Sequence, residues 1–314
     1  MTYNIVLVAN EGYVQHAAVM LCSLLETNKN KAFDIYLLTD GISEISKSRL
    51  QKLCTKYNSH LTVKLPEQEL GNSLGINLKE LPVGQWNTMM YYKLFMPVML
   101  PKECERCLFL DVDMIINDDI QTLYNWELNG NIIAAAEDIP DCDECHKPRL
   151  GLAQNDAYIN SGVMVCDLSA WREKEVVTPI FDYVKTISDI IMNEQDVIAL
   201  YFKNKITLLP IRWNMTTFYF MRVPKIFGKY LPQLQDAKRN PGIIHFAAPI
   251  KPWFKDCTHP YRTLYKKYLK QTDWDEWTFI NWEDLTLTQR FKKTIKNLLN
   301  EIGLLKDTLY TPKI

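Results

Sequence analysis

The sequence predicts an α/β fold: a mostly parallel sheet flanked by helices, followed by a C-terminal helical extension. Through the first half, short apolar runs alternate with stretches of helical spacing, the pattern of strand–helix–strand crossovers. Beyond about residue 256 the character changes. Trp274, Trp277 and Trp282 gather with Tyr261, Tyr265 and Tyr268, and a basic segment with an apolar stripe follows. The size fits this division, since 314 residues, 47% apolar and 23% charged, supply one large α/β domain and an appendage. The expected organisation is a principal domain over 1–255 and an aromatic, basic extension over 256–314.

The elements follow in order. Ile5 to Ala9 is a continuous apolar run, a buried strand, and Val14 to Thr27 has helical spacing. Phe33 to Leu38 is a second strand. Ser43 is the N-cap of a helix reaching about Tyr57, because its hydroxyl can accept from the first free amides. Leu61 to Leu65 is a third strand, and Met89 to Met99 reads as a helix stopped by Pro101. Cys107 to Leu110 and Ile132 to Ala136 are further buried strands. Residues 139–158 are polar, irregular and rich in charge, a long loop of the kind that forms a lid or a binding loop or is disordered. A strand at Gly162 to Cys166, helices near 171–187 and 194–202, and a strand at Gly242 to Phe246 complete the set.

Composition excludes several classes. The net charge of -1 does not advertise a nucleic-acid partner. With 11 glycines there is neither a Gly-x-Gly-x-x-Gly turn nor a P-loop, so a nucleotide would have to be held by other groups or by a metal. No apolar run approaches the roughly 20 residues that span a bilayer. The opening Met1-Thr2-Tyr3-Asn4-Ile5 lacks a basic leader region, and the expected location is the cytoplasm. Cysteines such as Cys22, Cys107 and Cys166 sit in apolar segments, as reduced core residues do.

Three clusters carry chemistry. In Leu108-Phe109-Leu110-Asp111-Val112-Asp113 an apolar strand ends in two carboxylates one residue apart, and the turn at a strand end lets both converge on one cation. Oxygen ligands of this kind suit Mg²⁺ or Mn²⁺, which would bridge a diphosphate leaving group. In His245-Phe246-Ala247-Ala248-Pro249-Ile250-Lys251-Pro252-Trp253 a histidine closes an apolar strand and a lysine follows on a proline-stiffened loop. Imidazole is a natural third ligand beside carboxylates, and lysine meets phosphate as a point charge. In Ala9-Asn10-Glu11-Gly12-Tyr13, directly after the first strand, Tyr13 can stack on a base while Asn10 reads its polar edge. Each cluster alone also has a plain structural reading: capping acids, a hydrogen-bonding histidine, a loop tyrosine.

Taken together with Tyr91-Tyr92-Lys93-Leu94, Tyr158-Ile159-Asn160-Ser161-Gly162-Val163 and Glu194-Gln195-Asp196, the chain over about 3–255 resembles glycosyltransferase family 8. That group includes lipopolysaccharide galactosyl- and glucosyltransferases and glycogenin. The resemblance implies a GT-A type, Rossmann-like catalytic domain and Mn²⁺ held by Asp111, Asp113 and His245, with Mg²⁺ as the second choice. It implies a UDP-glucose or UDP-galactose donor and a glycan or glycolipid acceptor. Uracil is expected against Tyr13 with Asn10 nearby, and a phosphate on Lys251. Val8, Lys93 and Val112 join the donor-lining residues, and Asp138, Asn160, Ser161, Gly162, Glu194 and Gln195 are expected around the donor sugar. Family members retain anomeric configuration, so Gln195 would face the β side of the anomeric carbon. A neutral amide is a poor nucleophile, which favours a front-side route in which the leaving phosphate takes the acceptor's proton.

Two residues depart from the family pattern. Arginine is usual where Lys93 stands and aspartate where Glu194 stands; the first change loses a bidentate fork and the second adds a methylene. Cys104-x-x-Cys107 and Cys142-x-x-Cys145 suggest zinc, but the first pair precedes its strand and the second follows one. At roughly 3.3 Å per residue they lie about 15 Å apart, at opposite sheet edges. Near the C-terminus, Phe291, Ile295, Leu298, Leu299, Ile302 and Leu305 share a helical face, with Arg290, Lys292, Lys293 and Lys296 at its start. This helix either docks on the domain or contacts a membrane surface peripherally. Two rival functions keep the same site: a non-catalytic UDP-sugar-binding protein and a metal-dependent nucleotide-sugar hydrolase.

Overall fold

In the computed structural model, which describes residues 2–84, 87–173, 177–221, 223–281, 286–301 and 304, the first apolar run becomes strand β1, Thr2–Val8. It is flanked by β2 (Ala32–Leu38) and β4 (Arg106–Leu110), and β3 (His60–Lys64) lies outside β2. The sheet continues through β7 (Ile159–Asp167), β6 (Ile133–Glu137) and β8 (Ile206–Leu208) to seven strands in the order β3-β2-β1-β4-β7-β6-β8. Every neighbouring pair is parallel except those made by β7, which runs against β4 and β6. Val6, Leu7, Leu108 and Phe109 are fully buried, as both faces of a helix-covered parallel sheet must be. A second sheet, in the order β5-β10-β9, joins β5 (Met114–Ile116), β10 (Ile243–His245) and β9 (Met215–Thr216).

This topology assembles the site. The carboxyl ends of β1, β4 and β6 open on one rim, where ligands of open α/β sheets collect. Because β7 is antiparallel, it begins at that same rim and delivers Asn160, Ser161 and Gly162 there.

Local readings are corrected in three places. Met89–Met99 is not one helix: Thr88–Phe95 is a 3-10 helix and Met96–Met99 a single α-turn holding Pro97. Proline has no amide for the preceding turn, and Asn87 caps the start by accepting from the Met89 amide at 3.1 Å. The 139–158 segment contains a helix, Pro140–Arg149. Its charges leave no apolar stripe, so periodicity could not reveal it. The stretch 171–187 holds the end of one helix, Leu168–Glu173, and then another, Val177–Thr186.

Past residue 256, the helix Arg262–Leu269 sends Tyr265, Tyr268 and Leu269 into the same core as Ile5 and Leu110, and Trp274, Trp277 and Phe279 pack against that core. The helix Leu287–Glu301 is different: Leu287, Phe291, Ile295 and Leu298 are exposed. Trp282, Ile302 and Leu305 lie outside the described residues, as do the side chains of Arg290, Lys293, Cys142 and Cys145. Cys104 and Cys107 are buried free thiols, and burial pushes Cys104 up to about 12, as suits a reduced core residue. No helix among the described residues is long and apolar enough to cross a membrane.

Candidate active site

Asp111 and Asp113 straddle the turn from β4 into β5, and His245 ends β10, paired with Met114 in the second sheet. One ligand atom from each of the three residues lies within 4.8 Å of the others. His245 Nε2 stands 3.3 Å from Asp113 Oδ1 and 4.0 Å from Asp111 Oδ2. The backbone holds this in place, because the Asp111 amide donates to Gly162 O at 2.8 Å and the Phe246 amide to Asp113 O at 2.9 Å. Gly162 is required here: a Cβ on it would lie 2.6 Å from the His245 ring and 2.8 Å from Asp111 Oδ2. A small cradle lined by two carboxylates and an imidazole is a donor set that fits Mn²⁺ or Mg²⁺.

Lys251 Nζ sits 2.6 Å from Asp113 Oδ2 and donates to Phe246 O at 2.8 Å. Burial opposes ionisation of Asp113, but Lys251 and His245 overcome it and hold the carboxyl well below the usual range. The lysine expected at a phosphate thus meets one of the metal-site carboxylates.

The two departures from the family pattern meet in one ion pair. Lys93, entirely buried, lies 2.9 Å from Glu194 Oε1 and 3.4 Å from Asp111 Oδ1, over the Phe109 ring at 4.4 Å. Burial favours the neutral amine, yet Asp111 and Glu194 outweigh it and raise the pKa of Lys93. Ser161 Oγ donates to Glu194 Oε1 at 2.9 Å. A buried ammonium needs this full set of partners. The compact ammonium of Lys93 and the longer carboxylate arm of Glu194 thus meet directly.

Gln195 is fixed at both ends. Its Oε1 accepts from the Ser161 amide at 3.1 Å, and its Nε2 donates to Asp138 Oδ2 at 2.8 Å. Asp138 Oδ1 also accepts from the Ile139 amide. Asn193, at φ 41°, starts the helix Glu194–Tyr201, and its side chain accepts from the Gly84 amide at 2.7 Å. Asp196 had no assigned role. It is a buried hub that accepts from both Arg149, at 2.9 Å, and Tyr158, at 2.8 Å, and so ties the Pro140–Arg149 helix to the rim.

At the end of β1, Val8 is buried and Tyr13 is 45% exposed, edge-on to Trp253 at 5.9 Å. Asn10 Oδ1 accepts from the Tyr13 amide, so it shapes its own loop, and Glu11 accepts from the Ser43 amide and both Ser43 and Ser46 hydroxyls. His16, which the sequence reading passed over, stacks on Trp253 at 3.5 Å and bonds Tyr265 Oη through Nδ1 at 2.6 Å. Only its i, i+3 spacing from Tyr13 hinted at this. Asn214 and Glu137 were also missed. Asn214 bonds His245 and Asn160, and Glu137 accepts from Tyr230 at 2.8 Å and Lys229 at 2.5 Å; neither stands in a recognisable motif. Val112 is buried between the two aspartates, and the zinc reading gains no cluster among the described residues.

Comparison with known proteins gives one consistent result. The model of glycosyl transferase family 8 matches residues 4–257. General stress protein A of Bacillus subtilis is 24% identical over 280 residues, covering 87% of this chain and 94% of its own. A lipopolysaccharide 1,2-glucosyltransferase of Escherichia coli K12 is 25% identical over 305 residues, covering 94% and 85%. The galactosyltransferase LgtC, solved with donor and acceptor sugar analogs, superposes with a TM-score of 0.71 at 20% identity, over 92% of this chain and 99% of that one.

Proposed function

The chain belongs to glycosyltransferase family 8 and has its GT-A fold, and on that footing we propose that it transfers glucose or galactose from a UDP-sugar to a hydroxyl of a glycan or glycolipid, with retention of configuration. The observation that carries this reading is the Asp111–Asp113–His245 cradle opening beside Gln195 and Asp138 on one sheet rim. The lipopolysaccharide glucosyltransferase relative supports a lipopolysaccharide-type acceptor. We assign the catalytic domain to 1–255.

The cradle residues would hold Mn²⁺, whose charge stabilises the diphosphate as it leaves. Lys251 exchanges its contact with Asp113 for a phosphate oxygen when the donor enters. Tyr13 offers its exposed ring to uracil, with Asn10, Val8 and Val112 around the nucleotide. Asp138, Asn160, Ser161 and Gly162 orient the hexose, and Lys93 with Glu194 secures the wall behind it. Gln195, immobilised by Ser161 and Asp138, lines the β face of the anomeric carbon. A held neutral amide stabilises positive charge there without forming a bond, so the acceptor enters from the leaving-group side. The exposed apolar stripe of Leu287–Glu301 supports peripheral contact with the cytoplasmic face of a membrane.

The test is a panel of UDP-sugars with Mn²⁺ or Mg²⁺, reading binding and UDP release with and without saccharide acceptors. Acceptor-dependent release from one hexose donor is expected. Binding without turnover would make the chain a UDP-sugar-binding protein, and full-rate release of free hexose without acceptor would make it a hydrolase.

A further inference from the structure

A buried polar side chain, Asn214, bonds one nitrogen of His245 while the other faces the two aspartates. Asn214 is 1% exposed and ends the turn Ile211–Asn214 that leads into β9. That turn is rigid. Gly242 has no Cβ, and one added there would lie 2.6 Å from the Trp213 ring. The Gly242 amide donates to Arg212 O at 2.8 Å, and Arg212 bonds Asp118 at 2.6 Å. β9 then runs parallel beside β10, with Thr216 opposite His245.

The hydrogen bonds around Asn214 have one consistent polarity, anchored by a group that can only donate. The Gly162 amide points at Asn160 Oδ1 at 3.2 Å, which fixes the carboxamide of Asn160 with its oxygen inward. That oxygen also takes the Asn214 contact at 2.8 Å, so Asn214 must present Nδ2 there. Its Oδ1 therefore faces His245 Nδ1 at 2.9 Å, and only an Nδ1–H can satisfy it. The imidazole's other nitrogen, Nε2, is the one turned toward Asp111 and Asp113.

We infer that Asn214 is a positioning residue that holds a proton on His245 Nδ1, so that Nε2 is the nitrogen offered to a cation in the cradle, and that it links this choice to Asn160 in the donor-sugar wall. The inference rests on the metal reading above. A partner on the distal nitrogen of a ligating histidine commonly sets ring orientation and affinity. Here the partner is neutral, and it is shared with a residue assigned to the sugar. One amide thus aligns two subsites, and Asn160 Nδ2 is the end left for the sugar.

Two variants separate this role from packing. Asn214→Leu keeps the bulk and removes both bonds. Asn214→Asp keeps an acceptor for Nδ1–H but cannot donate to Asn160. Mn²⁺ titration followed by electron paramagnetic resonance reads the metal Kd without turnover, and circular dichroism melting checks the fold. The expected result is a Kd weakened by about 10–100-fold in Asn214→Leu, with Asn214→Asp within about threefold of wild type or tighter. At saturating Mn²⁺, Asn214→Asp should still raise the donor KM. A folded Asn214→Leu that binds Mn²⁺ like wild type, or an Asn214→Asp that loses as much as the leucine variant, would overturn the inference. Wild type that binds no Mn²⁺ would instead overturn the metal reading beneath it.

Discussion

The rim of the sheet and the helix Leu287–Glu301 are built on opposite terms. At the rim, side chains far apart in sequence complete one another: Lys93 with Glu194, Gln195 with Asp138, His245 with Asn214. Leu287 is 84% exposed and Phe291 67%, and the spacing of Leu287, Phe291, Ile295 and Leu298 keeps them on one exposed face. A buried polar network survives only when every member has a partner, so any single loss is felt by the rest. An amphipathic helix is specified by its own spacing, so its loss should stay local.

The largest break in that contrast comes from Asp113→Asn, which preserves shape and removes the charge shared by His245 and Lys251. Transfer should fall on the order of 10³-fold or more, as for loss of a main electrostatic stabiliser. Melting should fall less than for the Lys93–Glu194 pair, since Lys251 is partly exposed and keeps Phe246 O as an acceptor. Activity at the wild-type rate, insensitive to chelator, would remove the metal from the reaction. Next comes the Lys93–Glu194 pair. Glu194→Gln or Lys93→Met strands a buried charge and should cost about 3–5 kcal/mol in denaturant unfolding. The double variant Lys93→Arg with Glu194→Asp should recover most of that stability. Additive losses in the two single changes would mean that the residues are not coupled.

The rim was legible where chemistry clusters in sequence. Asp111 and Asp113 lie one residue apart, and His245 closes an apolar run, so strand-end logic sufficed. The longer strands were legible for the same reason, because both faces of β1 and β4 are apolar, whereas the two- and three-residue strands β5, β8 and β9 are too short to show a pattern. What sequence hid is what three dimensions supply. Nothing in the order of residues says that β7 is antiparallel, and that reversal brings Gly162 to Asp111. Asn214 lies 31 residues from His245 with no motif between them. The Pro140–Arg149 helix was invisible because Asp196, from another segment, holds its Arg149 in place of an apolar stripe.

A smaller effect concerns acid. His16 and His259 are buried on the boundary between the rim and the aromatic extension, and burial pushes each from near 6.5 down to about 3. A histidine with a depressed folded pKa binds protons more readily once unfolded. Its contribution is therefore complete above about pH 6.5 and fades as pH falls toward about 3. Denaturant midpoints measured across that window should drop steadily, and His16→Gln should flatten part of the slope. A midpoint constant between pH 6.5 and 4 would mean that these rings are solvated in solution.

The smallest expected change in catalysis, and the sharpest test of the contrast, is deletion of residues 286–314. The rim side chains described above take their partners from other elements, so kcat on a soluble acceptor should stay within about twofold, and melting should shift by only about 1–2 °C, as for loss of a surface element. What should be lost is association with a lipid surface. Lys292 and Lys296 flank the stripe, so the helix can gain both from burying Phe291 and Leu298 at the headgroup boundary and from attraction to acidic lipid. Co-sedimentation with vesicles rich in phosphatidylglycerol should weaken about tenfold on truncation, and binding by the full chain should fall as salt rises, since screening shortens the reach of those lysines. Docking on the domain predicts the reverse. The stripe would then be core, and truncation would lower melting by several degrees while leaving vesicle binding unchanged. Salt-insensitive binding, or a large stability loss, would move this helix from the exposed side of the comparison to the interdependent one.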